Sequence, residues 1–314
     1  MRTAAHHPSN LLRPARSALA LLVLVLAGAA PACERPHIEV IVPFPAGGSL
    51  DGVVRIVADG ATRATGRSFV VRNLGGGSGT IGSQQVLRRK ADGCTLLAGT
   101  INTLVLAPRG QATAPYSHAD FVPVGLLGHT DYLLLAHPGV AASNLQQLAA
   151  AGAARAQPFS FGHPGVDSVQ YLGLALVARQ TGLALLPVPY KGAAPMLGDL
   201  AGGHIELAVV ARPAAAAAIE RGLVKELANI SQWSRESTPA DPPVPSWAGW
   251  FVPERTAPQQ LQWLREAMES ALSHPEVVRQ LQAISAPPAD MHERRAFIAH
   301  YRRDAHRVAR EAPR

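Results

Sequence analysis

Cysteine is close to absent: Cys33 and Cys94 are the only two in 314 residues. There is no CxxC pair and no Cys/His spacing of the metal-ligating kind, so a structural zinc site has no basis in the sequence. Two thiols allow at most one disulfide. No HExxH pair occurs, and no serine stands in a GxSxG elbow, since Ser49 and Ser78 have other flanks. Nucleophilic and metal-assisted catalysis therefore lack visible parts, and neither catalytic residue nor metal ligand is assigned. Long apolar runs are lacking too. The run at residues 18–30, ALALLVLVLAGAA, is shorter than the roughly 20 residues a membrane-spanning helix needs. Nothing after residue 33 is apolar for long enough to cross a bilayer.

What the opening does carry is Arg2, Arg13 and Arg16 with no acidic residue, then that apolar run, then Ala30-Pro31-Ala32. This is the pattern of an export signal over residues 1–32, with cleavage expected before Cys33 and a periplasmic destination. A cysteine at the new N-terminus leaves a lipid anchor open as a second fate. Ala30 standing where leucine is usual favours plain secretion. Setting aside those three arginines lowers the net charge from +7 by three, to +4, which is only mildly basic. The C-terminal arginines (Arg294, Arg295, Arg302, Arg303, Arg307, Arg310) interleave with apolar residues at helical spacing and read as a solvated helix face, with no nucleic-acid motif.

About 280 residues remain, which suits two domains of ordinary size. From Ile38 onward, short β-branched runs alternate with amphipathic stretches, the pattern of an α/β fold. IEVIV (38–42) reads as a buried strand, followed by a helix with apolar positions Leu50, Val53, Val54, Val57 and Ala61 that Gly66 ends. Further strands are expected at 69–71, 94–98, 133–136 (after the apolar segment 121–127), 159–161, 185–190 and 205–210. Helices are expected through Val86, after a cap at Ser143, after Ser168, and in three C-terminal stretches. Residues 238–245, rich in proline, read as a loop.

The turn Pro43-Phe44-Pro45-Ala46-Gly47-Gly48-Ser49 lies between a strand and a helix, where free N–H groups and the helix dipole favour an anion. Paired glycines let a ligand approach, and Ser49 is suited both to cap the helix and to offer a hydroxyl; a plain capped turn is the competing reading. Gly77, Gly79 and Gly82 match GxGxxG. The acidic residue that a dinucleotide site would need about 20 positions on is missing near residues 98–102, so no cofactor is assigned.

Taken together, IVPFPAGGSLDGVVR, GGGSGTIG followed by ADGCTLLAGT, DFVPVGLLG, VPYKGAAPMLGDLAGGHIELAVV and PPVPSWAGW resemble the tripartite tricarboxylate transporter receptor family, also called Bug proteins, in consistent order over residues 38 to about 285. The resemblance implies a type II flytrap periplasmic binding protein, a mixed sheet in each of two lobes and a hinge between them. Lobe 1 is then 33–131 with 229–314, and lobe 2 is 132–228. It implies capture of a small mono-, di- or tricarboxylate, or an amino-acid-like or nicotinate-like compound, held by backbone N–H groups and hydroxyls of two facing loops. The captured solute is handed to membrane transporter subunits, and a monomer is expected. A receptor for a signalling partner, and more remotely a secreted hydrolase, are the competing functions.

Carried over by position, the first loop holds Phe44, Ala46, Gly47, Gly48, Ser49 and Asp51, and the second holds His163, Gly165, Val166, Asp167 and Ser168. Thr100, Asn102 and Tyr190 join them as ligand-binding candidates, with Lys191 and Gly192 in the cleft wall. Asp51 is equally suited to ordering its own loop. The second loop departs from the usual Ser-Pro-Gly-x-Gly-Ser, with His163 and Asp167 replacing the first serine and second glycine. A carboxylate facing an anion site repels a second one by on the order of 1 to 4 kcal/mol at 4 Å. If Asp167 faces the cleft, a ligand carrying a donor beside its carboxylate is expected; if it caps the next helix, no such selection follows.

Overall fold

The computed structural model describes residues 33–110, 115–231 and 246–311. The export signal and the proline-rich loop at 238–245 lie outside the described residues. Ten strands occur among them: β1 (His37–Val42), β2 (Ser68–Asn73), β3 (Thr95–Thr100), β4 (Phe121–His129), β5 (Tyr132–Ala136), β6 (Phe159–His163), β7 (Leu185–Pro189), β8 (Leu207–Ala211), β9 (Lys225–Asn229) and β10 (Trp247–Pro253). They make two sheets of order β2-β1-β3-β10-β4 and β7-β6-β8-β5-β9, one in each lobe. Both are mixed. β1 runs parallel to β2 and β3, whereas β10 is antiparallel to β3 and β4; β6 runs parallel to β7 and β8, whereas β5 is antiparallel to β8 and β9.

The strands form where the sequence is continuously apolar. β3, β5, β8 and β10 are buried along their whole length, as central strands covered on both faces must be. The helix Ser49–Thr65 packs Val54, Val57, Ala58 and Ala61 inward and ends on Gly66, whose φ of 71° and N–H to Thr62 O form a left-handed cap. Gly60 permits the closest helix approach: a Cβ there would lie 2.6 Å from Val277 Cγ2 and 3.2 Å from Ala271 Cβ. The GxGxxG glycines likewise serve packing. A Cβ on Gly79 would meet Thr103 Cγ2 at 2.3 Å, and one on Gly82 would meet Leu74 O at 2.8 Å.

The structure differs from the local expectations in a few places. The helix Leu145–Ala153 is capped by Asn144, not Ser143: Asn144 Oδ1 accepts from Gln147 N at 2.9 Å, and Ser143 N donates to Gln147 Oε1. The helices Ala193–Ala201 and Arg212–Glu220 and the strand β9 are additional to the expected elements. The aromatic segment at 247–251 is β10, the strand that returns to the first sheet. Arg294, expected in solvent, is 8% exposed and bonds Glu269 through Nε and Nη2, at 2.9 and 2.6 Å.

Cys33 and Cys94 form a disulfide across 61 residues, fastening the start of the described chain to the first lobe. Arg67 adds bonds to the carbonyls of Cys33 and Arg35. The helix Met291–Glu311 covers the same lobe, its Phe297 and Tyr301 rings packing with Trp247 and Phe251 at centroid distances of 5.1 to 6.1 Å. No described helix is long and apolar enough to cross a membrane.

Candidate functional site

The first loop is built from its backbone outward. Gly47 has φ of 81°, a conformation that favours glycine, and this turns its N–H onto Asp51 Oδ2 at 3.0 Å. The same oxygen accepts from Arg55 Nε at 3.1 Å, and Asp51 Oδ1 accepts from Asn73 Nδ2 at 2.9 Å. Asn73 Nδ2 also donates to Phe44 O at 3.2 Å, closing the loop on itself. Burial alone would raise the Asp51 pKa; the donors Arg55, Gly47 and Asn73 outweigh it and hold the carboxyl below its ordinary value. Asp51 is thus an internal brace. The residue before the helix is Gly48, and no side chain caps the helix, so Ser49 stands inside the first turn and does not cap it.

A second uncapped helix start faces this one from the other lobe. Gly192 precedes the helix Ala193–Ala201, again with no side-chain cap, and a Cβ on Gly192 would lie 3.8 Å from Pro45. Between them lies a cavity of about 320 Å³. The first lobe contributes Phe44, Pro45, Ala46, Gly48, Ser49, Asp51, Thr100 and Asn102 to its wall; the second contributes Pro164, Gln170 and the segment 191–196. Leu127, His129, Thr130, Tyr132, Trp247 and Pro287 line it near the crossings between the lobes. Those crossings are tied together, Thr130 N donating to Ser246 O at 2.8 Å and Tyr132 N to Ser231 Oγ at 3.0 Å.

The expected residues Gly47, His163, Gly165, Val166, Asp167, Ser168 and Tyr190 are not in the cavity wall. Gly47 faces its brace. Several donors of the second loop and the helix after it are engaged: Ser168 Oγ accepts from Tyr171 N at 3.1 Å and donates to Gly165 O, and Val169 N donates to Asn102 Oδ1 of the other lobe at 2.8 Å. Asn102 Nδ2 completes that bridge to Gln170 Oε1 at 3.0 Å. His163 is buried between Phe161 and Tyr171, its Nδ1 accepting from Gly165 N, and burial lowers its pKa so that it stays neutral. Gly165 packs towards Ser78 Oγ, and Val166 is exposed to solvent. The Asp167 carboxylate fills the space beside Gly110 that a side chain there would occupy, 1.7 Å from the position of its Cβ. Tyr190 OH donates to Asp199 Oδ2 at 2.7 Å; burial, and then Asp199, push its pKa up to about 12.

The wall residues that sequence reasoning did not single out include His129, Tyr132, Gln170, Ala193–Met196 and Trp247. One local signal pointed there: Lys-Gly-Ala-Ala-Pro, with glycine before a helix and proline in its first turn, is the signature of an open N-terminus.

Known proteins are similar to this chain in sequence and fold. The profile of the tripartite tricarboxylate transporter family receptor matches residues 53–308. The protein BugT of Bordetella pertussis is 31% identical over 276 residues, 83% of this chain and 85% of that protein. A solved periplasmic transporter superposes with a TM-score of 0.79 at 26% identity, covering 88% of this chain and 96% of the other. Rpa4515 of Rhodopseudomonas palustris, solved with adipate, gives 0.75 at 27% identity, covering 88% and 97%. The fold is that of the periplasmic binding proteins, and the chain belongs to the tripartite tricarboxylate transporter receptor family.

Proposed function

We propose that this protein is an extracytoplasmic receptor that closes its two lobes over a small carboxylate-bearing solute and presents it to membrane transporter subunits. The observation that carries the reading is the pair of uncapped, glycine-led helix starts facing one cavity from opposite lobes. Each offers backbone N–H groups and the positive end of a helix dipole, which together favour an anion over a neutral or cationic ligand. The role is capture without chemistry, in the periplasm, by a monomer; family membership supports it, as does a structural relative that holds adipate.

The test is a thermal-shift panel of mono-, di- and tricarboxylates, amino acids, nicotinate, the uncharged nicotinamide and cationic amines, run on protein unfolded and refolded to remove any carried-over ligand. A ligand at 100 times its Kd should add about 2.7 kcal/mol of stability, a clear rise in Tm. A panel in which only uncharged or cationic compounds raise Tm would overturn the reading.

A further inference from the structure

We infer that the end of the first lobe remote from the cavity is a basic face that rests on an anionic phospholipid surface. The inference does not depend on the receptor reading above, because it concerns the opposite end of the sheet from the cavity.

β1, β2 and β3 start, and β10 finishes, at one level: His37 stands opposite Ser68, Glu39 opposite Thr95, and Leu97 opposite Phe251. Each segment flanking these strand ends carries a cation: Arg35 before β1, Arg67 before β2, Arg88, Arg89 and Lys90 before β3, and Arg255 after β10. The four strands are neighbours in the sheet, so at about 4.8 Å per strand the charges line one face roughly 15 Å long. The cavity lies at the other end of β3 and β10, where Thr100 and Trp247 stand in its wall.

Acids in the same segments do not neutralise this row. Glu39 is shared by Arg72 and Arg89, at 3.2 and 3.9 Å, Glu254 is paired with Arg302, and Asp92 Oδ1 accepts from Cys94 N. Glu34 is left as the one acid there without a partner among the described residues. Most of the cations meet neutral groups. Arg67 bonds to the carbonyls of Cys33 and Arg35, Arg255 Nη2 donates to Leu87 O at 3.1 Å, and Arg88 Nη2 donates to Gln84 Oε1 at 3.2 Å. Lys90 makes no hydrogen bond or ion pair with any described residue. Arg88 stands in the last turn of its helix, where the helix dipole alone favours a cation. Lys90 and Arg255 are exposed and lie outside any helix, so the dipole does not account for them.

The occupant follows from where the chain enters. The apolar run at residues 18–30 joins the described chain at Cys33, which the disulfide to Cys94 and the bond from Arg67 hold at this same end. The face fastened next to that run is the one brought to a bilayer, and clustered Arg and Lys side chains attract anionic headgroups within about 8 Å at physiological salt.

The test is cosedimentation of the exported protein with vesicles of phosphatidylcholine alone and of phosphatidylcholine mixed equally with phosphatidylglycerol, at low and high salt. Wild type should partition at least tenfold more strongly onto the anionic vesicles, and high salt should abolish the difference. Lys90→Gln/Arg255→Gln should lose at least tenfold of that binding with its Tm unchanged, whereas Arg179→Gln/Arg221→Gln, which removes the same charge from the other lobe, should bind as wild type. Arg255→Lys keeps the charge without the arginine's bond to Leu87 and should also bind as wild type. Equal binding to both vesicles, or an equal loss in the two double variants, overturns the inference. Retention on immobilised polyglutamate with no vesicle binding overturns it in favour of an acidic protein partner.

Discussion

At the turn after β1, the Gly47 N–H and the Asn73 amide converge on Asp51, so the shape of this loop depends on a carboxylate that the loop itself holds. Its carboxyl pKa is lower in the folded protein than the ordinary unfolded value of about 3.9. The unfolded chain then binds more protons in acid, so this contribution to stability is complete above that value and is lost as pH falls through the folded value. Urea midpoints of the wild type should drop further between pH 6 and pH 3 than those of Asp51→Asn; equal drops would show that the brace carries no charge-dependent stability. Asp167 has the opposite status, a carboxylate in an expected binding loop that packs beside Gly110. Asp167→Asn should change the affinity for the carboxylate that gives the largest thermal shift by less than about threefold in titration, and a tenfold gain would place its charge against the ligand after all.

Among the elements, the helix starts after Gly48 and Gly192 differ from the one that Ser168 closes. Ser168 caps the helix Val169–Thr181, and Asn102 takes its first N–H from across the cleft, turning an expected anion site into a clasp between lobes. Asn102→Ala removes two hydrogen bonds of about 1 kcal/mol each and favours the open form. Small-angle scattering of the ligand-free variant should give a larger radius of gyration than wild type, and ligand affinity should fall about tenfold. The helix pair at Gly60 offers a test of packing: Gly60→Val drives methyl groups into Val277 and Ala271, and overpacking of this kind costs about 1 to 3 kcal/mol, measurable as a lowered Tm with binding intact.

For the whole molecule, the disulfide ties the start of the described chain to the loop before β3. Closing a loop of 61 residues removes unfolded-state entropy worth about 4 kcal/mol at most, so Cys94→Ser should cost roughly 2 to 4 kcal/mol in denaturant unfolding, and dithiothreitol should reproduce the loss in wild type but not in the variant. The sequence by itself determined much of the rest: the alternation of strands and helices, the Gly66 stop, the Ser168 cap and the Phe44–Ser49 turn all follow from periodicity and capping within a few residues. The ordered motifs did the same for the family. The tertiary structure alone decided which donors stay free for a ligand. Ser168 and Ser49 both begin helices after glycine-containing turns, yet one helix start is engaged by Asn102, 67 positions away from Val169, and the other faces an open cavity. Lys191, Tyr132 and Trp247 meet only because the chain crosses between lobes at Thr130 and returns at Ser246, and no local pattern encodes contacts made over such distances.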